Sequence, residues 1–265
     1  MKKLLLLALF APILAFAQSK FDGTWRLDLQ SAQLPDKPQQ YSLENETYTC
    51  STCTPPISVK ADGQDHAVAN APYFDTLSVK IVDDRHVVVI GKKAGKLAAE
   101  QKFAVSDDGK TLTLDGTYYP PDAAQPIVVK ETMQRTAESP KGSSQVTGSW
   151  REDKIESASN NATTVNYKST GDGLSFNMPT GESYFAKFDG KDYPYKGNPG
   201  ITSVSIKKID ESTIEETDKR DGKVIYVSRM TVSPDGKTIT FDQQDKLQNT
   251  TSKFTANKEA MSAEK

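Results

Sequence analysis

The chain has 265 residues, of which 26% are charged, with 33 Lys and Arg against 35 Asp and Glu. So even a balance excludes the dense basic surface that nucleic acid requires, and no Lys/Arg cluster marks a membrane-surface patch. Two Cys and two His leave little material for a metal centre or a nucleophilic triad.

The first segment reads as an export signal. Met1-Lys2-Lys3 precedes an apolar run over residues 4–14 and then Ala15-Phe16-Ala17. A short basic start, a short apolar run and a small-x-small end describe a secretory signal peptide over 1–17. The run is shorter than the about 20 residues that a spanning helix needs, so the chain is expected to be periplasmic or secreted and not membrane-spanning. Removing these 17 residues takes away Lys2 and Lys3, leaving 248 residues and a net charge of −4.

The remaining chain repeats itself. "VSDDGKTLTLD" begins at Val105 and "VSPDGKTITFD" at Val232, an offset of 127. At that offset residues 57–115 lie over 184–242 without a gap, and 19 of the 59 positions are identical. Turn-rich composition cannot hold a register that long. The only two tryptophans head the copies, in Gly23-Thr24-Trp25 and Gly148-Ser149-Trp150. The division that follows is copy one over 18–138, a linker over 139–145, copy two over 146–258 and a frayed tail over 259–265.

Within each copy the apolar pattern has period two, which predicts half-buried strands. Leu77, Val79 and Ile81 share one face. So do Leu97, Ala99, Gln101, Phe103 and Val105, with Val224, Tyr226, Ser228, Met230 and Val232 as their counterparts. Asp-Gly steps at Asp62-Gly63, Asp108-Gly109, Asp189-Gly190 and Asp235-Gly236 punctuate the strands as hairpin turns, since Gly takes positive φ cheaply. About eight or nine strands per copy predict an all-β protein of two tandem antiparallel up-and-down barrels, because closure best removes exposed strand edges. A β-propeller would repeat its turn phrase every 40 to 50 residues or so, which does not happen here.

With Gly-x-Trp opening its first strand and hairpin-linked strands following, each copy resembles a lipocalin-like (calycin-type) domain. The whole chain looks like secreted bacterial proteins with two such repeats and no characterised role. The resemblance implies cup-shaped barrels in which Trp25 and Trp150 are structural plugs at the base rather than ligand contacts.

The chemistry-bearing residues are few. Cys50-Ser51-Thr52-Cys53 lacks the helix-start setting of a redox pair, the partner pair of a zinc site and the His of a haem attachment. In an exported protein a disulfide is the expected state, with redox or metal roles as alternatives. His66 and His86 sit beside turn aspartates without metal-ligand spacing. Carboxylate pairs such as Asp107-Asp108 and Glu215-Glu216 read as solvated turn and edge residues. No Gly-x-Ser-x-Gly nucleophile motif occurs.

Aromatic and polar residues on inner faces are a different matter, because ligand cups combine apolar walls with a few polar groups. The candidate ligand contacts are Gln101, Phe103, Tyr184, Phe185, Tyr193, Tyr195, Tyr226 and Ser228, although small barrels also fill themselves with such side chains. The expected function is non-enzymatic binding of a small apolar or amphipathic molecule, with no cofactor or metal. The alternatives are an envelope interaction module with solid barrels and a redox enzyme using Cys50 and Cys53.

Overall fold

A computed structural model describes residues 19–137, 139–140 and 142–260. The expected signal peptide lies outside the described residues. In chain order the strands are β1 (Gly23–Gln33), β2 (Gln39–Glu44), β3 (Thr47–Cys50), β4 (Ile57–Lys60), β5 (His66–Ala67), β6 (Thr76–Ile81), β7 (His86–Lys93), β8 (Lys96–Val105), β9 (Thr111–Tyr118), β10 (Ile127–Ala137) and β11 (Gly148–Ala158). One helical turn, α1 (Asn160–Thr163), precedes β12 (Thr164–Thr170), β13 (Gly173–Asn177), β14 (Ser183–Lys187), β15 (Tyr193–Pro194), β16 (Ser203–Lys208), β17 (Thr213–Arg220), β18 (Lys223–Val232), β19 (Thr238–Asp245) and β20 (Thr250–Lys258). No helix among the described residues is long and apolar enough to cross a membrane.

The strands form two antiparallel sheets of ten strands each. Each sheet curls until its ends nearly meet. In one, Gly63 N–H bonds to the Val79 carbonyl at 2.9 Å, and in the other Gly190 N–H bonds to Ile206 at 3.1 Å. The chain is therefore all-β with two barrel-like sheets, as the period-two pattern predicts, with ten strands in each rather than eight or nine.

The repeated phrase makes the same turn twice. The Asp108 carboxylate accepts from Ser106 Oγ at 2.7 Å and from Lys110 N–H at 3.1 Å. Asp235 accepts from Ser233 Oγ at 2.6 Å and Lys237 N–H at 3.1 Å. Gly109 and Gly236 take φ of 72° and 69°, a region that costs other residues strain.

Barrel membership departs from the sequence repeat. The strand order is β4-β3-β2-β11-β10-β9-β8-β7-β6-β5 in barrel one and β14-β13-β12-β1-β20-β19-β18-β17-β16-β15 in barrel two. The first strand of each copy thus completes the barrel of the other. Trp25 pairs with Val165 and Lys258, and Trp150 pairs with Gln39 and Arg135. Both indoles are fully buried. Each donates its N–H to a carbonyl four residues upstream, Phe21 at 2.8 Å and Val146 at 2.9 Å. Lys258 Nζ lies 4.9 Å from the Trp25 ring centre, and the Arg135 guanidinium lies 4.0 Å from that of Trp150.

This corrects the division at 139–145. Its described residues, 139–140 and 142–145, lie between β10 and β11 of barrel one, with Gln145 N–H on the Asp84 carbonyl at 2.9 Å and Arg135 donating to the carbonyls of Gly109, Gln145 and Thr147. The chain crosses between barrels at 34–38 and at 159–163 instead. Two near-equivalent first strands can complete either barrel, so the connections decide. In 34–38, Pro35 and Pro38 fix φ and hold the preceding residues extended, which opposes a tight β1–β2 hairpin and sends β1 to the other sheet.

Three smaller expectations also change. Ile81 is 40% exposed although Leu77 and Val79 are buried. A bulge opposite Gly91 and Lys92 in β8, repeated opposite Asp218 and Lys219 in β18, turns Leu97 and Val224 outward and leaves Ile225 buried. Glu259 is anchored rather than frayed, through its N–H on the Thr24 carbonyl at 2.8 Å and an ion pair with Arg26 at 2.7 Å.

Candidate functional site

Barrel one is hollow towards the end away from Trp150. A cavity of about 1210 Å³ opens there, walled by Tyr41, Tyr48, Leu77, Val89, Ala99 and Phe103, among others. Its rim carries Tyr73, Tyr119, Pro120 and Pro121, and its roof comes from barrel two through Thr180, Glu182, Asn198 and Pro199. The roof is bonded to the rim. Tyr73 Oη donates to Asn198 Oδ1 at 3.0 Å, and Asn198 Nδ2 donates to Glu182 Oε1 at 2.6 Å.

Side-chain size explains why this barrel is hollow and its neighbour is filled. At the repeat offset of 127, Ile57, Val89, Gly91 and Ala99 of barrel one stand where barrel two has Tyr184, Glu216, Asp218 and Tyr226. Each pair puts the smaller group in barrel one. In barrel two, Phe176 stacks on Tyr184 at 5.0 Å between ring centroids, and Tyr195 lies 5.7 Å from Tyr184 and 6.0 Å from Phe176. Tyr167 reaches across to the Met230 sulfur at 3.4 Å.

The cavity wall is apolar with a few polar groups. Gln101 Nε2 donates to Tyr118 Oη at 3.0 Å. Tyr41 meets Phe103 edge-on at 5.3 Å and stacks with Tyr48 at 6.3 Å. Neither the Tyr41 nor the Tyr48 hydroxyl bonds to any described residue, although Tyr48 is only 3% exposed. Burial pushes both hydroxyls well above the ordinary tyrosine range.

Two carboxyl groups stand on β10 and β11, half-buried and outside the lining of the cavity. Glu131 on β10 pairs with Leu114 and Ile155, and Glu152 on β11 pairs with Met133. Glu131 is pushed up to about 7, first by burial and then by the charge of Glu152. Burial alone raises Glu152.

Barrel two holds a second acidic pair. Glu216 accepts a short hydrogen bond from Tyr184 Oη, and Asp218 is 6% exposed with Oδ1 lacking any partner. Burial raises both acids, and for Asp218 the neighbouring charges of Glu216 and Glu182 add to it. The solvated position expected for Glu216 is therefore incorrect. Its alignment with Val89, on an apolar face, was the signal available in the sequence.

The predicted contacts are divided between the barrels. Gln101 and Phe103 line the cavity. Tyr184 and Tyr195 belong to the packed interior of barrel two, Tyr226 sits opposite Asp218, and Ser228 is buried beside them. Phe185 faces outward at 42% exposure, and Tyr193 on β15 packs partly buried against the barrel-two core while its hydroxyl donates to Asp189 at 3.1 Å. The structure does not bring these eight residues together. Missed from the sequence were Tyr41 and Tyr48, which the register of β2 and β3 places in the cavity wall, and Glu131 and Glu152, which stand on β10 and β11 within electrostatic range of Tyr41.

Cys50 and Cys53 form a disulfide with Cα atoms 5.4 Å apart, and Cys53 touches the cavity. His66 pairs with Asp62 and His86 with Asp83, each at 2.8 Å. Among the described residues no group of three His, Cys, Asp or Glu side chains is placed to hold a metal ion. No family model matches the chain, and no similar curated protein is found.

Proposed function

We infer that the protein is an exported, non-enzymatic, lipocalin-like binder that holds a small apolar or amphipathic molecule in barrel one. The observation that carries this reading is the cavity of about 1210 Å³, apolar in most of its wall and roofed by the other barrel. Ligand cups of this kind combine apolar surface with a few orienting polar groups. Here those groups are the Tyr41 and Tyr48 hydroxyls and the Gln101–Tyr118 pair. The apolar run over residues 4–14 and the disulfide fit an exported chain.

Barrel two takes a different part in this reading. Its ring cluster leaves it as a filled scaffold, which favours the interaction-module alternative for that half alone.

The test is titration of the mature protein with N-phenyl-1-naphthylamine, followed by fluorescence. Saturable binding is expected in wild type and in a Lys223→Ala control on the surface of barrel two. Ala99→Trp, which fills the cavity, is expected to abolish it. No saturable binding in wild type, or full binding by Ala99→Trp, removes the reading.

A further inference from the structure

The rim of the barrel-one cavity carries two lysines side by side. Period two along β7 puts Val89, Gly91 and Lys93 on one face, and Val89 and Gly91 belong to the cavity wall. Lys96 stands directly across from Lys93 where β7 turns into β8. Residues paired in this way project to the same side of the sheet, with Cβ atoms about 4.5–5.5 Å apart. Both lysines accordingly line the cavity, at the end of its apolar wall.

The hairpin tip that carries them is held in place. Ala94 and Gly95 form its two-residue turn with φ of 48° and 75°. Ala94 N–H bonds to Asp75 Oδ2 at 2.8 Å, and Asp75 N–H bonds to the Lys92 carbonyl at 2.9 Å. Neither Lys93 nor Lys96 has a hydrogen bond or an ion pair with any described residue. The acids around them are engaged elsewhere. Asp65 pairs with Lys92 at 2.6 Å, and Glu182 of the roof accepts from Asn198 at 2.6 Å and Thr180 at 3.4 Å. Asp122, the other acid of the lining, packs against Gly181 of barrel two.

Like charges directly opposite each other destabilise a strand pair, and an anion seated between them removes that cost. At the offset of 127 the counterparts in barrel two are Arg220 and Lys223. There the Arg220 Nε donates to the Gly200 carbonyl at 2.8 Å, and the barrel behind is filled. In barrel one the pair stands instead over an open cavity. That cavity, of about 1210 Å³, exceeds the roughly 300–1,000 Å³ of sites for drug-sized molecules. A molecule with a long hydrocarbon part and an anionic head matches both ends of it. Lysine ammonium groups act as point charges that suit phosphate oxygens, whereas a planar carboxylate is matched better by the arginine fork. A phosphate monoester carries a charge of about −1.5 to −2 at pH 7, enough to meet both lysines.

We propose that the ligand of barrel one is a phosphate-headed lipid, its phosphate held between Lys93 and Lys96 at the rim and its hydrocarbon lying along Val89, Ala99 and Phe103. This rests on barrel one being a binding cup and adds the chemical class of the occupant. It also accounts for two unpaired lysines on the face that the rest of β7 keeps apolar.

The experiment compares decyl phosphate, decanoate and decanol, which share one tail, and methyl phosphate, which lacks it, as competitors of bound N-phenyl-1-naphthylamine at pH 8. Decyl phosphate is expected to compete about five- to tenfold more tightly than decanol, the scale of two exposed ion pairs. Decanoate should fall between them, and methyl phosphate should not compete. In Lys93→Ala/Lys96→Ala, checked for folding by near-ultraviolet circular dichroism, decyl phosphate should fall to the affinity of the alcohol, while Lys223→Ala keeps the preference. In wild type the preference should narrow between about 0.01 M and about 1 M salt, as the Debye length falls from about 30 Å to about 3 Å, which needs no variant. Equal affinity for decyl phosphate and either decanol or decanoate overturns the phosphate assignment and leaves the cup standing. Competition by methyl phosphate as strong as by decyl phosphate overturns it too, because a free phosphate then suffices. So does a preference that survives in the double variant or at high salt, since the lysines are then not what holds the head. If none of the three tailed compounds competes, the cup reading falls and the lipid assignment with it.

Discussion

The exchange of first strands makes a prediction that two tryptophans can decide. Trp25→Phe removes the indole N–H bond to the Phe21 carbonyl, about 1 kcal/mol, and leaves part of a fully buried ring site empty, about another 1–2 kcal/mol. The loss of about 2–3 kcal/mol should appear in barrel two, although Trp25 belongs to the first copy. Val165→Ala, which trims the cross-strand partner of Trp25, should cost about 1–3 kcal/mol in the same barrel. Side chains in contact couple by about 0.5–3 kcal/mol, whereas distant sites add within about 0.3–0.5 kcal/mol. The double variant Trp25→Phe/Val165→Ala should therefore be non-additive, and Trp25→Phe/Val87→Ala additive, since Val87 lies in the core of barrel one. Urea titration read by amide hydrogen exchange separates the two barrels, which a single optical signal would merge. Coupling of Trp25 to Val87, with none to Val165, would refute the exchange.

Further outcomes follow from the buried acids and the disulfide. Burial raises Asp218 in the folded chain, so its contribution to stability is full below the ordinary carboxylate range and is lost as pH rises through its raised folded value. Asp218→Asn should match wild type at pH 4 and exceed it at pH 9 by about 1–3 kcal/mol, the cost of an unsatisfied buried polar group. Urea midpoints at the two pH values check this, and an equal gap at both would contradict it. Cys50→Ala/Cys53→Ala opens a loop of about four residues and should cost barrel one about 2 kcal/mol by loop entropy, leaving the barrel two midpoint unchanged.

The contrast between hollow and filled barrels has a simple origin. A small barrel encloses a volume set by strand number and tilt, and the side chains on its inner face either occupy it or leave it open. Barrel two spends that volume on Phe176, Tyr184, Tyr195 and two acids. Barrel one carries Ile57, Val89, Gly91 and Ala99 at the equivalent positions, and the difference is the cavity. The two similar barrels thus differ in one being filled and the other open.

What the residues determined alone was local. Alternation in "TLTLD" and "TITFD" sets which side chains face inward, Asp-Gly sets the turns, and repetition over 57–115 and 184–242 requires two similar sheets. Each follows from geometry within one strand or turn, where period two and positive φ act over a few residues. Which sheet receives Gly23–Gln33 was not local, because β11 offers nearly the same face and the crossings at 34–38 and 159–163 separate the alternatives. Nor was the position of Glu131 beside Glu152, Tyr41 and Tyr118, which depends on bulged register across four strands. Alternation assigns a side chain to a face. It does not name the neighbours across the barrel, and those neighbours decide whether an interior is packed, empty or charged.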